Sequence, residues 1–515
     1  MHEIELKFLI TEKDARRLRT RISGLAGLEG PLTSHNLRSI YYDTPAGDLA
    51  RAGIAMRVRK DGRRWIQTVK AKTRNLGGLQ SGIEAECPAP AGRLDIARIP
   101  DAGLRAQVFA LVADQPLAPV CETAMRRVLG VVALDGAARA EVAIDAGEIR
   151  AGDAAQPFRE LEIELKDGSV GALFELTRTL FPSGGLNLSR MSKAARGFLL
   201  AREGRIETPL DPRHAKPVAL SADQSAESAA RDVLRECFDQ IAHNVEVIRA
   251  KDLPEGPHQL RVGLRRLRSA FLVFRGAIGH PELDRLNEEA RWLGQEVGIQ
   301  RDLDVAIVDL LDPEARAHPG EPGFAVLAAA LKQRGDAHRA VLRKALESNR
   351  TQNFLIDLGR FIEARGWLIP DDIDQTQRLG QPVTDLAVSA LDRRWRRTRK
   401  RARDIAGLDI EARHELRKEL KKLRYAVEFF APVLPTKRVD AFVRRLKDLQ
   451  QVFGDLNDAA MAQHLLTGPG APGAGDPDAQ RAVGWILGTR TERANHHWLE
   501  ARALWDALKD TRTCW

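Results

Sequence analysis

The sequence predicts an α+β protein: an antiparallel β domain over residues 1–205, a linker over 206–222, and an all-α domain over 223–510 built from an internal repeat. Three observations predict it. Up to about Arg205, short segments alternate apolar and polar residues between turn signals such as Asp43-Thr44-Pro45 and Gly77-Gly78. From about Asp223, apolar residues recur at steps of three and four, the period of amphipathic helices. Within that second region, His258-Gln-Leu-Arg261-Val-Gly-Leu-Arg265-Arg-Leu-Arg268 recurs as His414-Glu-Leu-Arg417-Lys-Glu-Leu-Lys421-Lys-Leu-Arg424.

Composition bounds the function. Hydrophobic residues make up 43% of the 515 residues, enough for real cores, yet no stretch approaches the ~20 uninterrupted apolar residues of a membrane helix. The N-terminus alternates charged and apolar residues instead of running basic and then apolar, so a cytoplasmic location is expected. Cys87, Cys121, Cys237 and Cys514 lack the paired spacing of a zinc site and read as structural thiols. The net charge of +9 suggests an anionic partner, but the excess is spread over both halves, so local clusters carry the information.

In the β region charged residues share strand faces, and several strands carry single-signed pairs. Glu3, Glu5 and Lys7 share one strand face, and Glu160, Glu162 and Glu164 share another. Arg57 with Arg59, Lys70 with Lys72, Glu84 with Glu86, and Glu141 with Asp145 do the same. An ordinary solvated sheet face also alternates, but it mixes signs. Carboxylates at alternate positions can converge on Mg²⁺ or Mn²⁺, which prefer oxygen ligands. Lys and Arg on neighbouring strands would neutralise phosphate oxygens, and a closed barrel points every second residue inward.

Five motifs in order, Glu3-x-Glu5-x-Lys7, Tyr41-Tyr42-Asp43-Thr44-Pro45, Arg57-x-Arg59, Glu160-x-Glu162-x-Glu164 and Ser192-Lys193-Ala-Ala-Arg196-Gly197, resemble the CYTH domain of triphosphate tunnel metalloenzymes over about residues 1–205. The resemblance implies an eight-stranded antiparallel tunnel that binds a triphosphate with Mg²⁺ or Mn²⁺. It makes Glu3, Glu5, Glu160 and Glu162 metal ligands, and gives Lys7, Arg57, Arg59, Lys70, Arg126 and Lys193 to the phosphates. Glu84, Glu141, Asp145 and Glu164 would line the tunnel, with Glu5 or Lys7 helping to orient the attacking water.

The helical repeat holds one offset of 156 residues. It carries the basic blocks and also Leu293, Gly298 and Asp302, which map onto Leu449, Gly454 and Asp458, as expected for two copies about a pseudo-twofold axis. His258, Arg261, Arg265 and Arg268 fall within roughly 80° of helical arc, as do His414, Arg417, Lys421 and Arg424. Apolar stripes run beside them: Leu260, Leu264, Leu267, Phe271 and Phe274 in the first copy, and Leu416, Leu420, Leu423, Val427 and Phe430 in the second. The first strip contains no acid with which to pair, unlike a solvated helix face laced with i,i+4 ion pairs.

These blocks, with Arg301-Asp302-Leu-Asp304 and Leu449-Gln450-x-x-x-Gly454-Asp455-x-Asn457-Asp458, resemble the CHAD domain over about residues 223–510. That resemblance implies binding of long-chain inorganic polyphosphate by both strips, and association with polyphosphate granules. The Gly/Asp blocks would brace the basic side chains. The combined reading is a metal-dependent inorganic triphosphatase with a polyphosphate-binding module. A class IV adenylyl cyclase-like enzyme, a thiamine triphosphatase and a non-catalytic scaffold stay open as alternatives. Nucleic acid fits less well, because the helices lack interleaved aromatics for stacking on bases.

Overall fold

The computed structural model describes residues 2–515, and the side chains of all of these except 72–74 and 76, so Lys72 lies outside the described side chains. The chain forms two compact units, one of residues 1–211 with 355–364 and the other of residues 212–354 with 365–515.

The first unit is a closed antiparallel barrel of eight strands: β1 (His2–Leu9), β2 (Thr33–Asp43), β3 (Ala55–Asp61), β4 (Arg64–Leu76), β5 (Leu79–Pro88), β6 (Ala118–Ala133), β7 (Arg139–Ala151) and β8 (Ala154–Asp167). They close in the order β1-β5-β4-β3-β2-β6-β7-β8, so β1 completes the ring by pairing with both β5 and β8. Helices α1 (Glu12–Ser23), α2 (Asp48–Arg51), α3 (Ala102–Val112), α4 (Gly171–Leu180) and α5 (Lys193–Glu203) accompany the strands.

Alternation is resolved as the sequence predicts. Leu6, Phe8, Leu161 and Ile163 pack outward into a core with Leu173 and Leu180 of α4, leaving the charged residues between them for the interior. The register sets Lys7 opposite Glu162, Glu5 opposite Glu164, and Asp145 between Arg127 and Glu160. Asp43, in the Tyr-Tyr-Asp-Thr-Pro motif, is buried and accepts backbone N–H bonds from Thr44, Leu49 and Ala50 at 2.7–2.9 Å. Its role is to fix the turn into α2, since a buried carboxylate needs such donors.

The second unit is helical: α6 (Ala226–Ala250), α7 (Glu255–Ile278), α8 (Pro281–Val305), α9 (Asp312–Ala317), α10 (Gly323–Glu347), α11 (Asn349–Glu363), α12 (Ile373–Gly380), α13 (Val383–Arg401), α14 (Ile410–Phe430), α15 (Thr436–Leu466), α16 (Pro477–Trp498) and α17 (Ala501–Asp510). The last part of α11 belongs to the first unit, where Ile356 joins the β1–β8 core and Arg178 pairs with Asp357. Nothing in the periodicity of α11 signals that assignment.

The repeat appears as packing. The series α6-α7-α8 and α13-α14-α15 contact one another in the same order, α10 packs on α8 as α16 packs on α15, and α7 meets α14. Every residue of the two expected apolar stripes is at most 1% exposed. The Gly468–Asp478 segment links α15 to α16, as its Gly/Pro content predicts.

Candidate functional site

The barrel interior holds a cavity of about 610 Å³. Seven glutamates and eight lysines or arginines line it, so it is not a simple anion well. A near-balanced lining of this kind suits an anion that arrives with its own cation.

At one level the groups are tightly interlocked. Lys7 reaches Glu162 at 2.6 Å and Glu5 at 2.9 Å. Lys193, the first residue of α5, lies 2.7 Å from Asp145 and 2.9 Å from Glu162, and also pairs with Glu160. Arg127 clasps Asp145 through two bonds of 2.6 and 2.7 Å and also reaches Glu162. Burial alone would push the Glu162 carboxyl up, but Lys193, Lys7 and Arg127 outweigh it and hold it well below the usual range. Burial likewise opposes the Lys7 charge, and Glu162 and Glu5 overcome that to raise its pKa.

At the other level Lys70 bonds Glu3 at 2.6 and 2.7 Å and lies 3.3 Å from Glu84, with Arg57 3.7 Å from the same Glu84. Lys166 lies 2.8 Å from Glu164 and 3.5 Å from Glu141. Burial, with Glu3 and Glu141 nearby, raises the Glu164 carboxyl to about 7 despite Lys166. Arg59 donates to Ser39 at 3.3 Å, and its pKa falls to about 10 through burial, then Arg57 and Arg127.

One expectation needs correction. Arg126 is exposed on the outer face, bonded to Ser34 at 2.9 Å, because strand alternation turns its neighbour Arg127 inward. The Asp145–Arg127 pairing, which selects that register, has no local sequence signal. Of the four expected metal ligands, Glu160 and Glu162 lie with Asp145 in the close carboxylate set among the described residues, while Glu3 is held by Lys70 and Glu5 lies beside Lys7. Glu160 is fully buried and paired with Lys193 and Arg196.

The donors fit a hard divalent cation: carboxylates line the cavity together with hydroxyl and amide oxygens, and among the described residues neither His nor Cys does. The Ser-Lys-Ala-Ala-Arg-Gly motif delivers α5 to this interior. Ser192 caps the helix, and a Cβ on Gly197 would sit 2.2 Å from the Cys121 sulfur, so only glycine allows the approach. Tyr41, also unassigned by sequence, raises the Arg57 pKa against the effect of burial, together with Glu84.

In the second unit the two basic strips converge along the α7–α14 contact. Arg417 falls to about 10, and Lys421 to about 6, first through burial and then through cations of both helices, including Arg265 and Arg261. Arg261 is braced by Asp302 at 2.7 Å and by the Gly298 carbonyl at 3.3 Å. Arg268 is exposed and donates to Asn287, while Arg424 sits 3.4 Å from Glu428. His258, depressed by burial and Arg301, and His414, depressed by burial and Lys418, titrate below the ordinary imidazole range.

Comparison with known proteins agrees with this architecture. The family model for the CYTH domain matches residues 1–198, and that for the CHAD domain matches residues 232–467. An uncharacterized protein of Mycobacterium tuberculosis is 26% identical over 501 residues, covering 90% of this chain and 88% of its own length. The inorganic triphosphatase of Haemophilus influenzae is 31% identical over 201 residues, which is 39% of this chain and 55% of that protein. The crystal structure of the CHAD domain of the plant Ricinus communis superposes with a TM-score of 0.51 at 27% identity, covering 59% of this chain and 98% of that one. The chain therefore consists of a CYTH domain, as an eight-stranded tunnel, followed by a CHAD domain of repeated helices.

Proposed function

We propose that the tunnel hydrolyses inorganic triphosphate with Mg²⁺ or Mn²⁺, and that the helical domain binds long-chain polyphosphate. The observation that carries the first part is the enclosed interior in which carboxylates and cations alternate on the same wall. The likeness of residues in this half to an inorganic triphosphatase supports the same reading.

Arg57, Arg59, Lys70, Arg127 and Lys193 would hold phosphoryl oxygens, replacing water by fixed donors. Glu5 and Glu162, with Glu3 and Glu164 from the same strand faces, would hold the cation. A bound metal would supply charge neutralisation and polarise the phosphoryl group. Lys7, shared by Glu5 and Glu162, fixes both carboxylates before substrate arrives. Glu5 then orients the attacking water, a new P–O bond forms to that water, and the phosphoanhydride bond breaks to release orthophosphate and pyrophosphate. A tunnel enclosed by eight strands favours a bare phosphate chain over one bearing a nucleoside. Phosphate release from tripolyphosphate, ATP and thiamine triphosphate, each with and without Mg²⁺ or Mn²⁺, tests this directly.

The second part rests on the convergence of Arg261, Arg265, Arg417, Lys421 and Arg424 at one seam, where like charges depress one another. Such a seam is relieved by a polyanion, and binding there should weaken steeply with salt. Titration of full-length protein with polyphosphate at several salt concentrations is the corresponding experiment.

A further inference from the structure

A second cleft of about 610 Å³ lies in the helical unit, away from the α7–α14 seam, lined by the end of α13, the turn after it, and α17. Arg396, Arg399 and Lys400 fall within about 100° of arc at the end of α13, and Arg403 follows in the turn after it. Arg502 and Lys509, seven residues apart on α17, face them across the cleft. Two acids share the lining. Asp506 pairs with Lys509 at 2.9 Å, and Asp404 accepts from the Gly407 backbone N–H. Among the described residues, Arg399, Lys400, Arg403 and Arg502 line this cleft and make no ion pair.

The internal repeat provides a control. Between α6 and α13 the repeat offset is 157, since the Ala226 N–H bonds the Gln381 carbonyl as the Val383 N–H bonds the Gln224 carbonyl, so Arg396, Arg399, Lys400 and Arg403 correspond to Asp239, Ala242, His243 and Glu246. The first copy thus has no such basic row, and the scaffold does not require one. Maintaining four unpaired cations on one face costs self-repulsion, which an anionic ligand removes.

We infer that the α13–α17 cleft is a second phosphate-chain site, distinct from the α7–α14 strips, that engages a further stretch of the same long polyphosphate. The helices α13 and α14 pack together, so the two basic surfaces sit on adjoining helices, and a flexible polyanion gains affinity by occupying both. Nucleic acid is disfavoured at this cleft because its aromatic wall, Trp505, is only 5% exposed and packs on Trp395 at 5.6 Å, leaving no face on which a base could stack. The inference rests on the proposal that the helical domain binds polyphosphate, and goes beyond it by adding a second surface.

The test uses full-length protein and labelled polyphosphate of about 100 phosphates, long enough to bridge two sites. Reversal of Arg399, Lys400 and Arg403 to Glu is compared with reversal of Lys437, Arg438 and Arg444, exposed residues outside both sites. The cleft variant should bind at least about tenfold more weakly than this control variant. In a protein with Arg265→Glu and Arg268→Glu, the cleft reversal should remove the remaining binding. Replacement of the same cleft residues by Gln should give a smaller loss in the same direction, which guards against misfolding of the Glu variant. Equal affinities for the cleft and control variants would overturn the inference, as would a loss confined to single-stranded DNA. If the strip reversals leave binding intact while the cleft reversals abolish it, the strip reading fails and the cleft stands.

Discussion

Phe274 and Phe430 occupy equivalent positions in the two helical repeats, and their rings meet with centroids 5.5 Å apart. Contact between equivalent residues is what a pseudo-twofold axis produces, and it places the axis between α7 and α14. The same symmetry sets Lys421 opposite its own equivalent, Arg265, which after burial depresses Lys421 most. A basic residue repeated about an axis confronts its copy, and the strips become one anion-seeking seam.

Polyphosphate binding should therefore take up a proton at Lys421. In the ligand-free protein burial and Arg265 lower Lys421 to about 6, which favours its neutral form at pH 7.5, and a bound polyanion favours the charged form. Affinity should fall as pH rises from 6 upward. Calorimetry at pH 7.5 in buffers of differing ionisation enthalpy should record about one more proton taken up by the parent than by Lys421→Arg, which is charged throughout. Equal uptake would remove Lys421 from the site. His258 and His414 add to the pH dependence only below their ordinary range, since both are depressed.

The same shift carries a stability consequence. Between about pH 6 and pH 10 the unfolded chain holds a proton on this lysine that the native protein lacks, so the group makes stability rise with pH over that window. Lys421→Met should flatten that part of the thermal-melting profile against pH. An unchanged slope would contradict the assignment.

Within the tunnel, Glu160 and Glu162 should separate by phenotype. Glu160 is fully buried between Lys193 and Arg196, so Glu160→Gln leaves a buried charge uncompensated and should cost about 3 kcal/mol of stability. Glu162→Gln changes a cavity-lining carboxylate with Asp145 still beside Arg127 and Lys193 and Glu5 still beside Lys7, and should lower kcat by about 10²-fold or more in a folded protein. Near parental turnover in Glu162→Gln would exclude it from catalysis.

Arg127→Gln should reduce kcat/KM for tripolyphosphate by at least about tenfold, and Arg126→Gln should leave it unchanged. Steady-state kinetics of the two variants decides between inward and outward residues of one strand. The reverse ranking would mean that β6 is in the other register.

What sequence made legible followed periodicity. Single-sign pairs at alternate positions located Glu3, Glu5, Lys70 and Glu162 on the tunnel wall, and the 156-residue offset located both basic strips. The choice between Arg126 and Arg127 was hidden, because adjacent arginines read equally well on either face and only the pairing of β6 with β7 decides. The split of the carboxylates into two levels was hidden too, since it depends on which lysine each one meets across the barrel: Lys70 for Glu3, Lys193 for Glu160. The α13–α17 cleft needed two helices distant in sequence to come together.

The central claim is tested most directly by following the products of tripolyphosphate hydrolysis with purified full-length protein. The account predicts orthophosphate and pyrophosphate in equal amounts, turnover dependent on Mg²⁺ or Mn²⁺ and abolished by chelation, and a kcat/KM above that for ATP. Equal turnover with and without the metals, a higher kcat/KM for ATP, or cyclic AMP as the product from ATP would contradict it.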